Sequence, residues 1–421
     1  MRVLFVTIPE NTHLYSMVPS AWALWAAGHE VRVASTPSFA ERIARTGLTA
    51  VPVGFDSEMH SGDTALRESQ EVEPANWNEL DPAGLTWEGE LERAQLGAWG
   101  LGYYNDPIID GLVEYARFYK PDLVVWDSMT FAGAIAARVV GAAHARFLCF
   151  ADVLGVKRQL FLDLQEQGDG QRTEDPFRDL LTERAEKYGL EYGEDLFYGQ
   201  WTIDQLPERL GADAGQLRIP VRFTAYNGPA VSPAWVREPV ERPRICLSLG
   251  TANTERFGGD YASKADIFEA LSDLDAEVVA ALLPAQAAAL GTLPDNARVV
   301  EAMPLHALLP TCSAAVHHGG FGSSTTAISF GVPSLAVSTP VADQVYRGRR
   351  IEAAGAGLFQ AHNEATPATI RAAVGRLLAE PSFTRNTAEL REELLAHPTP
   401  ARNVAVHERL TAQFRPRLGR G

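Results

Sequence analysis

Cysteine is scarce in this chain: three in 421 residues, Cys149, Cys246 and Cys312, widely scattered. Each stands in or beside an apolar run, so they read as small buried hydrophobes of a reducing compartment rather than a disulfide framework. Positive charge is also in deficit. Lys plus Arg number 37 against 53 Asp plus Glu, a formal net charge of −16. That balance excludes nucleic acid or an anionic membrane as partner. No stretch approaches the roughly eighteen uninterrupted apolar residues of a membrane span. The apolar start is broken at Glu10 and Asn11 with no small-residue cleavage site, so no secretion signal is expected and the location should be cytoplasmic. Two phosphate-binding signatures are missing as well. No Gly-Lys-Ser/Thr closes a P-loop, and the first strand, Arg2–Thr7, runs into Ile8-Pro-Glu-Asn-Thr-His13 without the GxGxxG of a dinucleotide fold.

What is present is enough for two cores. Apolar residues make up 46% and aromatics 9%, and a chain this long divides naturally into two domains. The opening reads strand, helix, strand, helix, strand: Arg2–Thr7, a helix through Val18–Ala27 with Pro19 in its first turn, His29–Ser35, Ser38–Thr46, Leu48–Val53. Strands alternating with helices mean a parallel sheet. The rhythm breaks at 56–110 and again at 155–213. Both segments read as irregular excursions over a ligand cleft, the second charged and helical in places, carrying Trp77, Trp87, Trp99 and Trp201. Between them lie strands at 122–126 and 144–150 and a helix from Phe131 to Val140. The proline-rich, aperiodic 220–244 reads as a linker. A second strand–helix series follows, with strands at 245–249, 277–283, 297–300, 314–317 and 334–337. The expected organisation is α/β: two doubly wound Rossmann-like domains, 1–219 and 245–421, facing a shared cleft.

The most informative stretch is Ala315-Val-His-His-Gly-Gly-Phe-Gly-Ser-Ser-Thr-Thr326, at a strand-to-helix junction. Glycines there let an anion approach the backbone, and free N–H groups and the positive end of the helix dipole face it. His317 and His318 add donors. A tight turn alone would leave the paired histidines and serines unexplained, so the segment reads as a diphosphate cradle. His13 lies just past the first strand, at the sheet edge where such folds bind ligands. Asp127 ends another strand at the same edge, placed either to hold an imidazole in one tautomer or to cap the following helix. Asp273-Leu-Asp275 matches an Asp-x-Asp metal string but falls at a helix-to-strand turn, where acidic residues are common.

These motifs together resemble the two-domain GT-B glycosyltransferases. The marks are Thr12-His-Leu, Ser248-Leu-Gly-Thr251, His317-His-Gly-Gly-Phe-Gly-Ser323, Gly331-Val-Pro-Ser and Ala342-Asp-Gln344. Narrower marks are Asp81-Pro-Ala-Gly-Leu-Thr-Trp-Glu88, Gly199-Gln-Trp-Thr-Ile-Asp204 and Leu305-His-Ala-Leu-Leu-Pro-Thr-Cys312. They are similar to the antibiotic branch that attaches TDP-activated deoxysugars to macrolides and aromatic polyketides such as anthracyclines. The resemblance covers essentially the whole chain and implies an inverting transferase with no cofactor and no metal, the TDP-sugar being a co-substrate. It assigns His13 as general base and Asp127 as the carboxylate that steadies it. It gives the diphosphate to His318, Gly319, Gly320, Gly322 and Ser323, with Ser248 and Thr251 opposite. Met303 and Pro304 take the nucleotide base, and Asp343 and Gln344 the donor sugar. An auxiliary activator similar to a cytochrome P450 is a further implied partner, and a homodimer is expected. The competing readings are a same-fold sugar-nucleotide epimerase or hydrolase, and a non-catalytic sugar-nucleotide-binding homologue.

Overall fold

In the computed structural model of the chain, the residues described are 1–57, 77–229, 231–250, 263–288, 290, 293–301 and 303–415. Near-continuous Val, Leu and Ala runs suit burial on both faces, which parallel sheets require. β1 (Arg2–Val6), β2 (Glu30–Ser35), β3 (Thr49–Pro52), β4 (Leu123–Asp127), β5 (Ala143–Phe147), β6 (Trp201–Asp204) and β7 (Arg218–Pro220) form one sheet, ordered β3-β2-β1-β4-β5-β6-β7. β8 (Arg244–Ser248), β9 (Glu277–Leu282), β10 (Ala297–Glu301), β11 (Ala314–His317), β12 (Ser334–Ser338) and β13 (Gly357–Ala361) form the other, ordered β10-β9-β8-β11-β12-β13. Every pairing is parallel. The strand order reverses beside β1, which lies between β2 and β4, and beside β8, which lies between β9 and β11. The crevice outside the carboxyl ends at such a reversal is where open α/β sheets take ligands.

Helices cover both faces of the first sheet with separate apolar cores, one built on Leu4, Val124 and Trp126, the other on Phe5, Val125 and Trp201. A further apolar cluster draws Ala151, Val153 and Leu206 from the first half together with Phe321, Ile328 and Leu390 from the second. The two halves are therefore joined by packing as well as by the linker.

Several sequence expectations are corrected. The first helix spans Asn11–Ala26, so Pro19 is interior to it and His13 lies in its first turn. An interior proline costs about 3 kcal/mol. The stripe Leu14, Met17, Val18, Ala21 and Leu24 is buried, and at about 1.5–3 kcal/mol for each large side chain it outweighs that loss. Among their described residues the excursions are more regular than expected. Thr86 caps a helix over Trp87–Asn105, and helices Val153–Glu166 and Pro176–Glu186 fill the second. β6 and β7 are too short for their alternation to register, yet they extend the sheet. Trp201 is consequently 1% exposed rather than on the surface, stacked against His407 and Phe414. The last helix, Pro400–Phe414, carries those two residues and packs on helix Asn11–Ala26 and on β5. This helix thus lies with the first half, not with the second where the sequence reading put it.

Candidate functional site

β1 and β4 are neighbours, so the turn after β1 and the last residue of β4 meet at the sheet edge. Asp127 is fully buried there. Its Oδ2 accepts the Ile8 N–H at 2.8 Å and its Oδ1 accepts the Met129 N–H at 2.8 Å. The loop that supplies Met129 is held in turn by Asn105, whose Nδ2 donates to the Met129 carbonyl at 2.8 Å. Oδ1 also lies 3.3 Å from His13 Nδ1. With Nδ1 directed at the carboxylate, Nε2 carries the lone pair in the neutral ring. Of the two uses expected for Asp127, the contact with the imidazole is the one present, and its backbone contact closes a turn at Met129 rather than capping the helix Ala132–Val140.

Cys149 also meets this pair, its Sγ 3.2 Å from His13 Nδ1. The Phe150 ring stands edge-on to the imidazole at 6.4 Å. Burial alone would push the His13 ring down, but Cys149 and Asp127 together hold it well above its ordinary value. Burial pushes the Cys149 thiol up, so at neutral pH the thiol is uncharged and the carboxylate is the lasting source of that effect. Cys149 was expected to be a plain buried hydrophobe, since an apolar run hides the one cysteine that faces a polar site.

On the second sheet, β8 and β11 pair with His317 opposite Ser248. His317 is not a phosphate donor, contrary to the sequence reading. Its Nδ1 accepts the Gly319 N–H at 3.0 Å and its Nε2 lies 3.1 Å from Ser334 Oγ. Burial pushes it down to about 3, so it is a neutral brace for the turn. Gly319 has φ +86°, closed to most side chains. Gly320 then starts the helix Phe321–Ser329, whose first amides have no carbonyl within the helix to meet.

The glycines do different work from that expected. A Cβ on Gly250 would fall 2.2 Å from His318 Cε1, and one on Gly320 would fall 2.3 Å from His318 Nε2. Both are bare so that the His318 ring fits in a slot between two backbones. Of Gly250, Gly319, Gly320 and Gly322, only Gly322 faces open space with its missing side chain. That space is a cavity of ≈ 440 Å³ bounded by Ser248, His318, Gly320, Gly322 and Ser323, with Met303 and Pro304 at one end. Across it stand Thr12, Tyr15, Arg42 and Arg45 of the first half. The linker closes one side through Asn227, whose Oδ1 accepts the His306 N–H at 3.0 Å while Nδ2 reaches Thr326 Oγ1 at 3.4 Å. Arg42, Arg45 and Asn227 were missed by sequence reasoning. The two arginines lie on a short amphipathic helix, and Asn227-Gly was passed over as linker.

Four residues predicted for the donor do not join this group as expected, Gly319, Thr251, Asp343 and Gln344, and neither His13 nor Asp127 borders the cavity. Thr251 lies outside the described residues. Asp343 is 1% exposed and does not border the cavity. Its carboxylate is taken up by Arg347, at 3.1 and 3.2 Å, and by the N–H of Ala151 at 2.7 Å. Gln344 is buried beside it, 3.4 Å from Thr339 Oγ1. Asp273 and Asp275, the Asp-x-Asp string, pair on the surface with Arg371 and Arg242 respectively.

Comparison with known proteins agrees with this architecture. The family model described as erythromycin biosynthesis protein CIII-like, N-terminal domain, matches residues 22–250, and its C-terminal counterpart matches residues 265–410. The chain is 43% identical over 429 residues to aclacinomycin-T 2-deoxy-L-fucose transferase of Streptomyces galilaeus, covering 99% of this chain and 97% of that one. It is 43% identical over 421 residues to 10-deoxymethynolide desosaminyltransferase of Streptomyces venezuelae, covering 99% and 98%. Among solved structures it is similar to glycosyltransferase VinC in complex with dTDP, at 38% identity and a TM-score of 0.87, covering 98% of this chain and 100% of that one.

Proposed function

The chain belongs to the erythromycin biosynthesis protein CIII-like family and is a GT-B-fold glycosyltransferase, and from that premise we propose that it moves a deoxysugar from a TDP-sugar to a hydroxyl of a polyketide aglycone, with inversion. The observation that carries the reading is the pairing of a carboxylate-steadied His13 on one sheet with an anion-suited cavity on the other. In a chain of net charge −16, no Asp or Glu among the described residues borders that cavity, while Arg42, Arg45 and His318 do.

In the proposed reaction the diphosphate lies against the amides of the helix Phe321–Ser329, with His318, Ser323 and Ser248 donating to its oxygens and the base beside Met303 and Pro304. The acceptor hydroxyl gives its proton to His13 Nε2 as its oxygen attacks the anomeric carbon. The carbon–oxygen bond to the diphosphate breaks on the opposite face, and TDP leaves. Asp127 steadies the imidazolium that forms. The helix N-terminus and fixed N–H donors meet the charge that develops on the leaving group. Asp343 and Gln344 would reach the sugar only after exchanging their present partners for its hydroxyls.

The test is turnover with a panel of TDP-deoxysugars and polyketide aglycones, the product's anomeric configuration being read by NMR. Transfer with inversion is expected. Epimerised or hydrolysed donor without glycoside would favour the competing enzyme reading, and binding without turnover the non-catalytic one. Dependence on a P450-like auxiliary protein is part of the proposal. Of the tryptophans on the two excursions, Trp201 is core and Trp99 is 51% exposed, and among the described residues Phe118 at 78%, Phe55 at 63% and Trp25 at 55% are exposed as well. Co-expression with such an auxiliary should raise activity, whereas full turnover by the isolated enzyme rules the dependence out.

A further inference from the structure

Arg347 ties the cradle of one half to the loop that packs on His13 in the other. Its guanidinium is buried and makes four hydrogen bonds. Two go to the cradle, to the Gly319 carbonyl at 2.7 Å and Ser324 Oγ at 2.9 Å. Two go to the Asp343 carboxylate, which accepts the Ala151 N–H at 2.7 Å from across the cleft. Ala151 is two residues beyond Cys149, whose Sγ lies 3.2 Å from His13 Nδ1. Arg347 also lies over the ring of Phe321, the first residue of the cradle helix, at 5.5 Å. An arginine that only braced its own helix would need the Asp343 pair, four residues back, and no more.

We propose that Arg347 is a positioning residue, setting the diphosphate cradle and, through Asp343 and the loop 149–151, the placement of His13 as one unit. The inference rests on the reading of His13 and the cradle given above, but its geometry is present without any ligand. The guanidinium fork suits the task because it bonds in several fixed directions at once, whereas an ammonium is a compact point charge. The desolvated Asp343 carboxylate needs both partners, since a buried charge without them costs several kcal/mol.

The test uses the ligand-free full chain, labelled at histidine, with the His13 signal assigned by its loss in His13→Ala. The groups facing that ring are Glu10 on its own helix, Asp127 after β4 and Cys149 after β5, with Arg347 beyond the thiol. Arg347→Lys keeps a charge for Asp343 but cannot span the Gly319 carbonyl and Ser324 Oγ together. It should displace the His13 titration by about half a unit, a roughly threefold change in proton affinity, and should weaken TDP binding by calorimetry. Arg350→Lys, on the same helix and bonded to the Arg209 carbonyl, should leave the titration in place. An unmoved His13 titration in folded Arg347→Lys would overturn the proposal, whatever happens to TDP. If that variant does not fold, Ser324→Ala removes one of the cradle bonds and decides in the same way. Failure of the wild-type chain to bind TDP would count against the donor reading alone, because the titration test needs no donor.

Discussion

Replacing Gly250 by alanine tests the cradle at the point where its geometry is tightest. The residue sits at φ +73°, where an L side chain costs roughly 1–2 kcal/mol. The new Cβ would lie 2.2 Å from His318 Cε1, 2.8 Å from Nε2 and 2.9 Å from Nδ1. The ring cannot retreat, because its other face is against Gly320, so it must swing out of the slot. Loss of one hydrogen bond to a charged phosphate is worth about 1.5–3 kcal/mol, which is about a ten- to hundredfold weaker Kd for TDP. Calorimetric titration with TDP and a melting curve without it should both change. Gly322→Ala is the contrasting case. Its Cβ would enter open space, so the melting temperature should hold while TDP binding weakens through the intruding methyl. Wild-type TDP affinity in Gly250→Ala would refute the placement of His318 as a phosphate donor.

Four further outcomes are expected. His13→Ala should lose about a hundred- to ten-thousandfold in turnover while TDP still binds. Because the raised His13 must be neutral to act as base, wild-type activity should climb as pH rises through its titration, and Asp127→Asn should move that limb to lower pH by about 1–3 units; a limb that stays put would discard the pairing. His407, pushed down to about 4 by burial, is neutral in the fold but protonated in the unfolded chain below about pH 6.5, so it removes about 1.4 kcal/mol of stability per pH unit between those values. Denaturant melts of His407→Phe should show a correspondingly shallower acid dependence. Turnover should survive EDTA, and its restoration by magnesium after such treatment would contradict leaving-group stabilisation by the helix alone.

The sequence was most legible where a residue's place follows from the chain's own rhythm. Asp127 ends an apolar strand and His13 opens the helix that follows another, and parallel strands put both positions on one edge. The glycine-rich turn was legible in location but not in the division of labour within it. His317 and His318 are adjacent, yet strand alternation turns one inward as a neutral brace and the other into the slot. Cys149 and Ala151 were beyond reach because their partners, His13 and Asp343, lie 136 and 192 residues away, and Arg347 because its bonds to the Gly319 carbonyl and Ser324 depend on how its helix packs on the turn after β11. Trp201 was misread because a strand of four residues has too little alternation to show, and the helix that buries it lies almost two hundred residues downstream.

That last helix, Pro400–Phe414, has a consequence for recombination. The chain passes between the halves twice, once through the linker and again near Thr399, before the helix settles on the first sheet over Trp201. A chimera joined only at the linker would take its final helix from the parent of the second half and its Trp201 surface from the parent of the first. Those two surfaces evolved in different chains and must still stack. Exchanges of acceptor specificity should therefore use two junctions, one within the linker and one just before Pro400, so that residues 400–414 travel with the half they cover.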